Sequence, residues 1–175
     1  MSIQIQKEDF LNLIEENKGI IIKVCNSYCV SKTDREDLAQ EIVYQLWKSG
    51  NSFNAYSKFS TWMYRVALNV AISFYRKKTK TQAVFPLNES HLDIEDKINT
   101  ADESEKRVVF LQRFINEMKE LDRALTLLYF EEKSYKEIAE ILGISETNVA
   151  TKISRIKSRL KQKFSEHLNI KNERL

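Results

Sequence analysis

The chain of 175 residues has only three glycines and one proline, too little turn-forming material for a sandwich, barrel or propeller. Metal ligands are equally scarce. Cys25 and Cys29 stand four apart inside an apolar segment, far in sequence from the only histidines, His91 and His167. A zinc site gathers about four such ligands, so the thiols read as small buried hydrophobes, and neither metal nor cofactor is expected. No apolar run approaches the roughly 20 residues of a membrane helix; the longest candidate is Gly19-Ile20-Ile21-Ile22, which Lys23 interrupts. The start, Met1 to Glu8, lacks the charged and apolar blocks of a secretory signal, so a cytoplasmic protein without a membrane partner is expected. A Gly-rich phosphate loop, a nucleophile elbow and a His-carboxylate cluster are also missing, which argues against an enzyme.

What the sequence does contain is charge and apolar residues at helical spacing. With 42% hydrophobic and 30% charged residues, an all-α protein with a packed core is expected, as one ordinary domain or two small ones. The net charge of +3 conceals a division: residues 1–80 carry +4, residues 81–106 carry −5, and residues 107–175 carry +4. The acidic segment holds the only proline, in Phe85-Pro86-Leu87, and no sustained apolar period, so it reads as a linker. Two small helical domains, 1–80 and 107–175, are thus expected on an acidic tether at 81–106. Two basic units could grip two stretches of a polyanion, or their charge could simply keep them soluble.

In the first unit, Phe10, Leu13, Ile14, Ile21, Val24, Cys25, Tyr28 and Cys29 lie at steps of three and four around a polar stretch at 15–18, predicting one long helix or two short ones. Thr33 and Glu36 have capping-box spacing ahead of a helix whose inner face is Leu38, Ile42 and Leu46. That leaves Asp37, Gln40, Glu41, Tyr44 and Gln45 outside, either as a solvated face or as a surface for a basic partner. Phe59, Trp62, Met63, Val66, Ala67, Val70, Ala71 and Phe74 trace a buried stripe widened by Tyr64, Leu68, Ile72 and Tyr75. Arg65, Asn69, Ser73 and Arg76 remain as a narrow polar strip. The strip runs into Lys77, Lys78 and Lys80, cations that a helix C-terminus favours whatever their function. Ahead of this helix lies the polar loop 49–58, whose Phe53 and Tyr56 can stack on unpaired bases or fold back onto the core.

In the second unit, Thr100 and Glu103 again have capping-box spacing. Val108, Leu111, Phe114, Ile115 and Met118 form one apolar stripe, continued by Leu121, Leu125, Leu128 and Tyr129 after an expected bend at Leu121-Asp122-Arg123. A short capped helix follows from Ser134, with Gly143 where the chain must turn sharply. Ser145 is placed to cap the last helix, whose inner face is Val149, Ile153, Ile156 and Leu160. Ala139 allows close crossing and Ile144 fills the angle, so a helix-turn-helix is predicted. The outer face of its second helix carries Thr147, Asn148, Thr151, Lys152, Arg155 and Arg159, groups suited to base edges and phosphates in a major groove.

The order and spacing of these segments resemble the sigma factors of bacterial RNA polymerase, in the two-domain extracytoplasmic-function group of the sigma-70 family. Asp34 to Trp47 resembles the family's core-binding helix, Phe59 to Asn69 its promoter-melting helix, and Ser134 to Arg159 its DNA-reading hairpin. The resemblance implies core RNA polymerase as partner, through a coiled coil on the beta-prime clamp and through the beta flap, with Asp37, Gln40, Glu41, Tyr44 and Gln45 at the first contact. It implies promoter DNA as the other partner. Phe53, Asn54, Tyr56, Ser57, Phe59 and Asn69 would surround a base flipped from the minus-ten element, while Arg65, Arg76, Lys77 and Lys78 would track phosphates. Thr147, Asn148, Thr151, Lys152, Arg155 and Arg159 would read the minus-thirty-five element. The acidic linker would run through the RNA exit region. An anti-sigma factor and an additional DNA-bound recruiting factor are further partners that the resemblance admits.

Three positions depart from the family pattern. Leu68 stands where a basic residue is common, Ser73 where an acid is, and Ala150 where many relatives carry Lys or Arg. The last predicts weak reading of the upstream element. A polymerase-independent helix-turn-helix regulator with a helical dimerisation or sensing domain is the competing reading, and would bind duplex DNA as a dimer. A helical adaptor that binds only proteins is a third, and would tolerate loss of Lys152 and Arg155.

Overall fold

The computed structural model describes residues 7–53, 57–84 and 103–172. These residues form helices and short connections, without strands. In chain order the helices are α1 (Lys7–Glu16), α2 (Lys18–Tyr28), α3 (Lys32–Ser49), α4 (Phe59–Val84), α5 (Glu103–Asn116), α6 (Glu120–Phe130), α7 (Tyr135–Leu142) and α8 (Glu146–Asn172); a single 3₁₀ turn covers Gly50–Ser52. The first apolar segment is therefore two helices, broken at Asn17, whose side-chain amide donates to the Leu13 carbonyl at 2.8 Å. Helix α3 begins earlier than the spacing of Thr33 and Glu36 predicts. Ser31 is its cap, accepting from the Asp34 N–H at 3.1 Å, because extended backbone at Ser31 turns its hydroxyl onto the first free amides.

The core of the first unit follows the apolar pattern. Leu38, Ile42 and Leu46 are fully buried, as are Val24, Met63, Ala67 and Ala71. Phe10 lies edge-on to Trp47, Phe59 and Trp62 at centroid distances of 5.9 to 6.4 Å, a favourable arrangement for aromatic quadrupoles. Its ring occupies the space beside Gly50, where a Cβ would lie 2.9 Å from it. Cys25 and Cys29 are buried and unbridged. Burial pushes both thiols up to about 11, so they stay protonated at neutral pH.

In the second unit, the break between α5 and α6 falls at 117–119 rather than at 121–123. The expected bend residues are instead the first turn of α6, where Glu120 and Asp122 suit the positive end of the dipole. Helix α6 closes with the Lys133 N–H on the Leu128 carbonyl and the Glu132 N–H on the Tyr129 carbonyl, both at 3.1 Å. Glu132 holds the left-handed position of this Schellman closure at φ 54°. Val108, placed on the apolar stripe by periodicity, is exposed, whereas Phe114 and Met118 are buried.

Helices run past both ends of the acidic segment. Helix α4 reaches Val84 and α5 begins at Glu103, so residues 81–84 and 103–106 of the expected tether are helical. Phe85, Pro86, Leu87, His91 and Thr100, with its expected capping role, lie outside the described residues.

The two units pack against each other. Helix α4 meets α2 and α3 on one side and α6 and α7 on the other, and α2 also meets α6. Tyr64 and Leu68, read from sequence as the margin of the α4 stripe, are consequently almost fully buried, while Phe59, Val66, Val70 and Phe74 of the stripe itself are only half-buried.

Candidate nucleic-acid and partner interfaces

Helix α8 is presented by the helix-turn-helix that the sequence predicts. Ser134 and Glu137 form a full capping box: the Glu137 N–H donates to Ser134 Oγ at 3.2 Å, and the Ser134 N–H donates back to the Glu137 carboxylate at 2.9 Å. These bonds hold the Glu137 carboxyl below its ordinary range. Gly143 takes the left-handed conformation at φ 66°, and the Ile144 N–H closes onto the Ala139 carbonyl. Ser145 then caps α8, accepting from the Asn148 N–H at 3.2 Å. With Val149, Ile153 and Ile156 buried, Thr147, Asn148, Thr151, Arg155 and Arg159 face solvent and Lys152 is half-buried. Asp122 of α6 faces Lys152 at 3.8 Å and Arg159 at 3.6 Å. Ala150 is half-buried.

On α4, Arg65, Asn69, Ser73 and Arg76 are exposed along one strip. Arg76 Nε donates to Glu120 Oε1 at 2.6 Å, and Arg65 donates to the Glu140 carbonyl at 2.8 Å. Lys78 is paired with Asp34 of α3, and Lys77 is exposed. Phe53 is half-buried, with its ring 5.3 Å from Phe59 and 5.6 Å from Trp62. Of its two sequence-level alternatives, the structure therefore shows the fold back onto the core, beside half-buried Ser57. Asn54 and Tyr56 lie outside the described residues.

The outer face of α3 carries Asp37, Gln40, Glu41 and Tyr44, all exposed; Gln45 is half-buried and donates to Glu41 Oε1 at 2.9 Å. Val43 and Trp47 add exposed apolar surface, at 45% and 43%, next to Tyr44 at 55%. Three large apolar side chains thus lie exposed on the helix that carries the acidic positions.

Arg123 is the residue that sequence reasoning missed. It is 3% exposed, donating to the Ser27 carbonyl at 3.2 Å and the Asn116 carbonyl at 2.8 Å, with its guanidinium over the Tyr75 and Tyr28 rings at 4.6 and 5.4 Å. Helical periodicity gives no signal for it, because an arginine reads as surface unless a second unit covers it.

Among the described residues, no group of three or more His, Cys, Asp or Glu is placed to hold a metal ion, and no helix is long and apolar enough to cross a membrane.

A helix-turn-helix unit with a cationic outer face on α8, joined to a second helical unit with a polar strip and an acidic face, defines a two-unit helical protein of the helix-turn-helix class. Comparison with known proteins places it further. The Sigma-70 region 2 family matches residues 13–81 and the Sigma-70, region 4 family matches residues 109–160. The ECF RNA polymerase sigma factor SigM of Bacillus subtilis is 31% identical, covering 77% of this chain and 82% of the relative. The ECF RNA polymerase sigma-E factor of Haemophilus influenzae is 26% identical, over 90% of this chain and 88% of that one. Among solved structures, CnrH in complex with the cytosolic domain of CnrY shares the fold at a TM-score of 0.65 and 17% identity, covering 92% of this chain and 90% of that chain. The chain belongs to the RNA polymerase sigma factors of the extracytoplasmic-function group, bacterial proteins that direct core polymerase to promoters. Sigma factors are non-enzymatic transcription factors. The reading as a polymerase-independent regulator gives way to this assignment.

Proposed function

We propose that this cytoplasmic sigma factor works without catalytic groups of its own, through three surfaces on two domains. Residues 1–80 would bind core polymerase and the minus-ten element, and residues 107–175 would bind the minus-thirty-five element across the tether at 81–106. The observation that carries the first contact is the division of α3. Its Leu38, Ile42 and Leu46 face is wholly buried, and its Asp37, Gln40, Glu41 and Tyr44 face is left open. With Gln45, that open face would meet the beta-prime clamp coiled coil, whose basic side chains complement the acids; the beta flap would meet the second domain.

On α4, Asn69 and the aromatic group of Phe53 and Phe59, with Asn54, Tyr56 and Ser57, would select a flipped minus-ten base by stacking and amide hydrogen bonds. Arg65, Arg76, Lys77 and Lys78 would hold phosphates of the same strand. On α8, Thr147, Asn148, Thr151, Lys152, Arg155 and Arg159 would read the upstream element in the major groove. An anti-sigma factor would act by covering these faces. A DNA-bound recruiting factor would compensate for the cation that Ala150 does not supply.

Run-off transcription from a genomic promoter library, with purified core polymerase and with or without this protein, tests the proposal. New start sites sharing two spaced elements are expected. In the same assay, Asn69→Ala should damage open-complex formation more than polymerase binding, and equal losses would remove it from the base pocket.

A further inference from the structure

We propose that Asp122, a residue outside the reading helix, sets the sequence discrimination of the helix-turn-helix by cancelling phosphate-seeking charge on α8. The proposal deepens the assignment of α8 to the upstream element above and rests on it. Helical geometry divides the cations of α8 into two groups. Lys152 and Arg159 are seven residues apart and so share one flank of the helix, the flank that meets the start of α6. There the Asp122 carboxylate lies 3.8 Å from the Lys152 ammonium and 3.6 Å from the Arg159 guanidinium. Further along α8, Lys163 repeats the arrangement by pairing with Glu117. Arg155 is the exception: it is exposed, and among the described residues no carboxylate pairs with it.

The Asp122 carboxylate is a fixed charge rather than a swinging surface group. It stands in the first turn of α6, an end of the helix dipole that favours negative charge, and its side chain is only 19% exposed. Both distances exceed hydrogen-bond length, so the two cations keep their donors for a phosphate or a base edge while sharing the field of one anion. Two positive charges and one negative leave the trio with a net charge of one. That subtraction weighs on one kind of binding more than the other. Non-specific attraction to a duplex grows with the number of phosphates that the protein neutralises, and it carries no sequence information. The hydrogen bonds by which Asn148, Thr151 and Arg155 would read base edges come from side chains that Asp122 does not pair with. A carboxylate on the flank therefore lowers indiscriminate affinity and spares the reading contacts, and the ratio of the two selects one site among many competitors.

Filter binding of the full-length chain across a salt series tests this with two labelled duplexes, one of mixed sequence and one carrying the upstream element shared by the start sites of the run-off assay. Asp122→Asn keeps the shape of the side chain and removes its charge. It should tighten binding of the mixed duplex several-fold at low salt and steepen its salt dependence by about one phosphate contact. The affinity ratio of the two duplexes should fall several-fold, while helicity stays constant. Adding Lys152→Gln to that variant should return the salt dependence to the wild-type slope, and Asp122→Glu, which restores the charge, should restore the ratio. Should Asp122→Asn fail to fold, Asp122→Ser takes its place, since it keeps a polar group in the first turn. An unchanged slope on the mixed duplex, or an equal loss on both duplexes as a merely structural role would give, would overturn the proposal. Equal tightening on both would overturn the link to discrimination. The mixed-sequence arm needs neither promoter nor polymerase, so failure of the wild type to support transcription with core polymerase would refute the proposed function and leave the charge cancellation standing.

Discussion

Arg76 and Glu120, 44 residues apart in sequence, meet Nε to Oε1 at 2.6 Å across the two domains. The Arg76 hydrogen bond is the main cause holding the Glu120 carboxyl below its ordinary value of 4.5. A carboxyl lowered in the folded state contributes stability that is present above its unfolded value and lost as pH falls through the folded one. Thermal melts of wild type and Glu120→Gln should therefore differ at neutral pH and converge in acid. A gap that persists unchanged at low pH would show that the Glu120 charge does not contribute.

The helix-turn-helix owes its geometry to two local devices. Ser134→Ala removes half of the capping box and should cost about 1 kcal/mol. Gly143→Ala meets no atom within 4 Å, so its cost comes from the left-handed backbone alone, again about 1 kcal/mol. Urea denaturation of the full chain reads both. A neutral result for Gly143→Ala would mean that the turn relaxes out of the left-handed region.

Glu132 is the opposite case, a side chain in a conformation that favours glycine. Glu132→Gly should stabilise the α6 closure by about 0.5–1 kcal/mol. Because the residue is exposed, packing changes do not obscure the reading. A loss of stability would instead mean that the Glu132 side chain contributes to the closure.

Charge reversal at Glu41 probes the open face of α3. The residue is exposed and its partner there is Gln45, so Glu41→Lys should leave the melting temperature nearly unchanged. Affinity for core polymerase, measured by titration of labelled sigma, should fall and depend less on salt, because reversing a rim charge slows association with a complementary surface. Unchanged affinity would return this face to solvent.

Arg155 and Ala150 test the reading helix in opposite directions. Arg155→Ala should lower affinity for the upstream element by about 1–3 kcal/mol if the guanidinium reaches a base. Ala150→Lys should raise affinity and steepen the salt dependence by about one phosphate contact. Filter binding across a salt series separates the two, and no gain from Ala150→Lys would count against weak upstream reading as the reason for a recruiting factor.

Local pattern determined much of this protein. Steps of three and four placed Leu38, Ile42 and Leu46 inside, the Ser134, Gly143 and Ser145 signals fixed the helix-turn-helix, and the outward face of α8 follows from the inward one, because one helix cannot bury both. Cap position was less legible: Ser31 and Thr33 are both good caps, and only the path of the chain leaving α2 chose between them. Packing between the domains had no local signature at all. It buried Tyr64 and Leu68 beyond the predicted stripe, enclosed Arg123 among two rings and two carbonyls, and set Glu120 and Glu140 against the cations of α4. Periodicity reports which face of a helix is apolar, within a few residues of chain; whether a polar face also meets a partner depends on groups about a hundred residues away, and that only the tertiary structure decides.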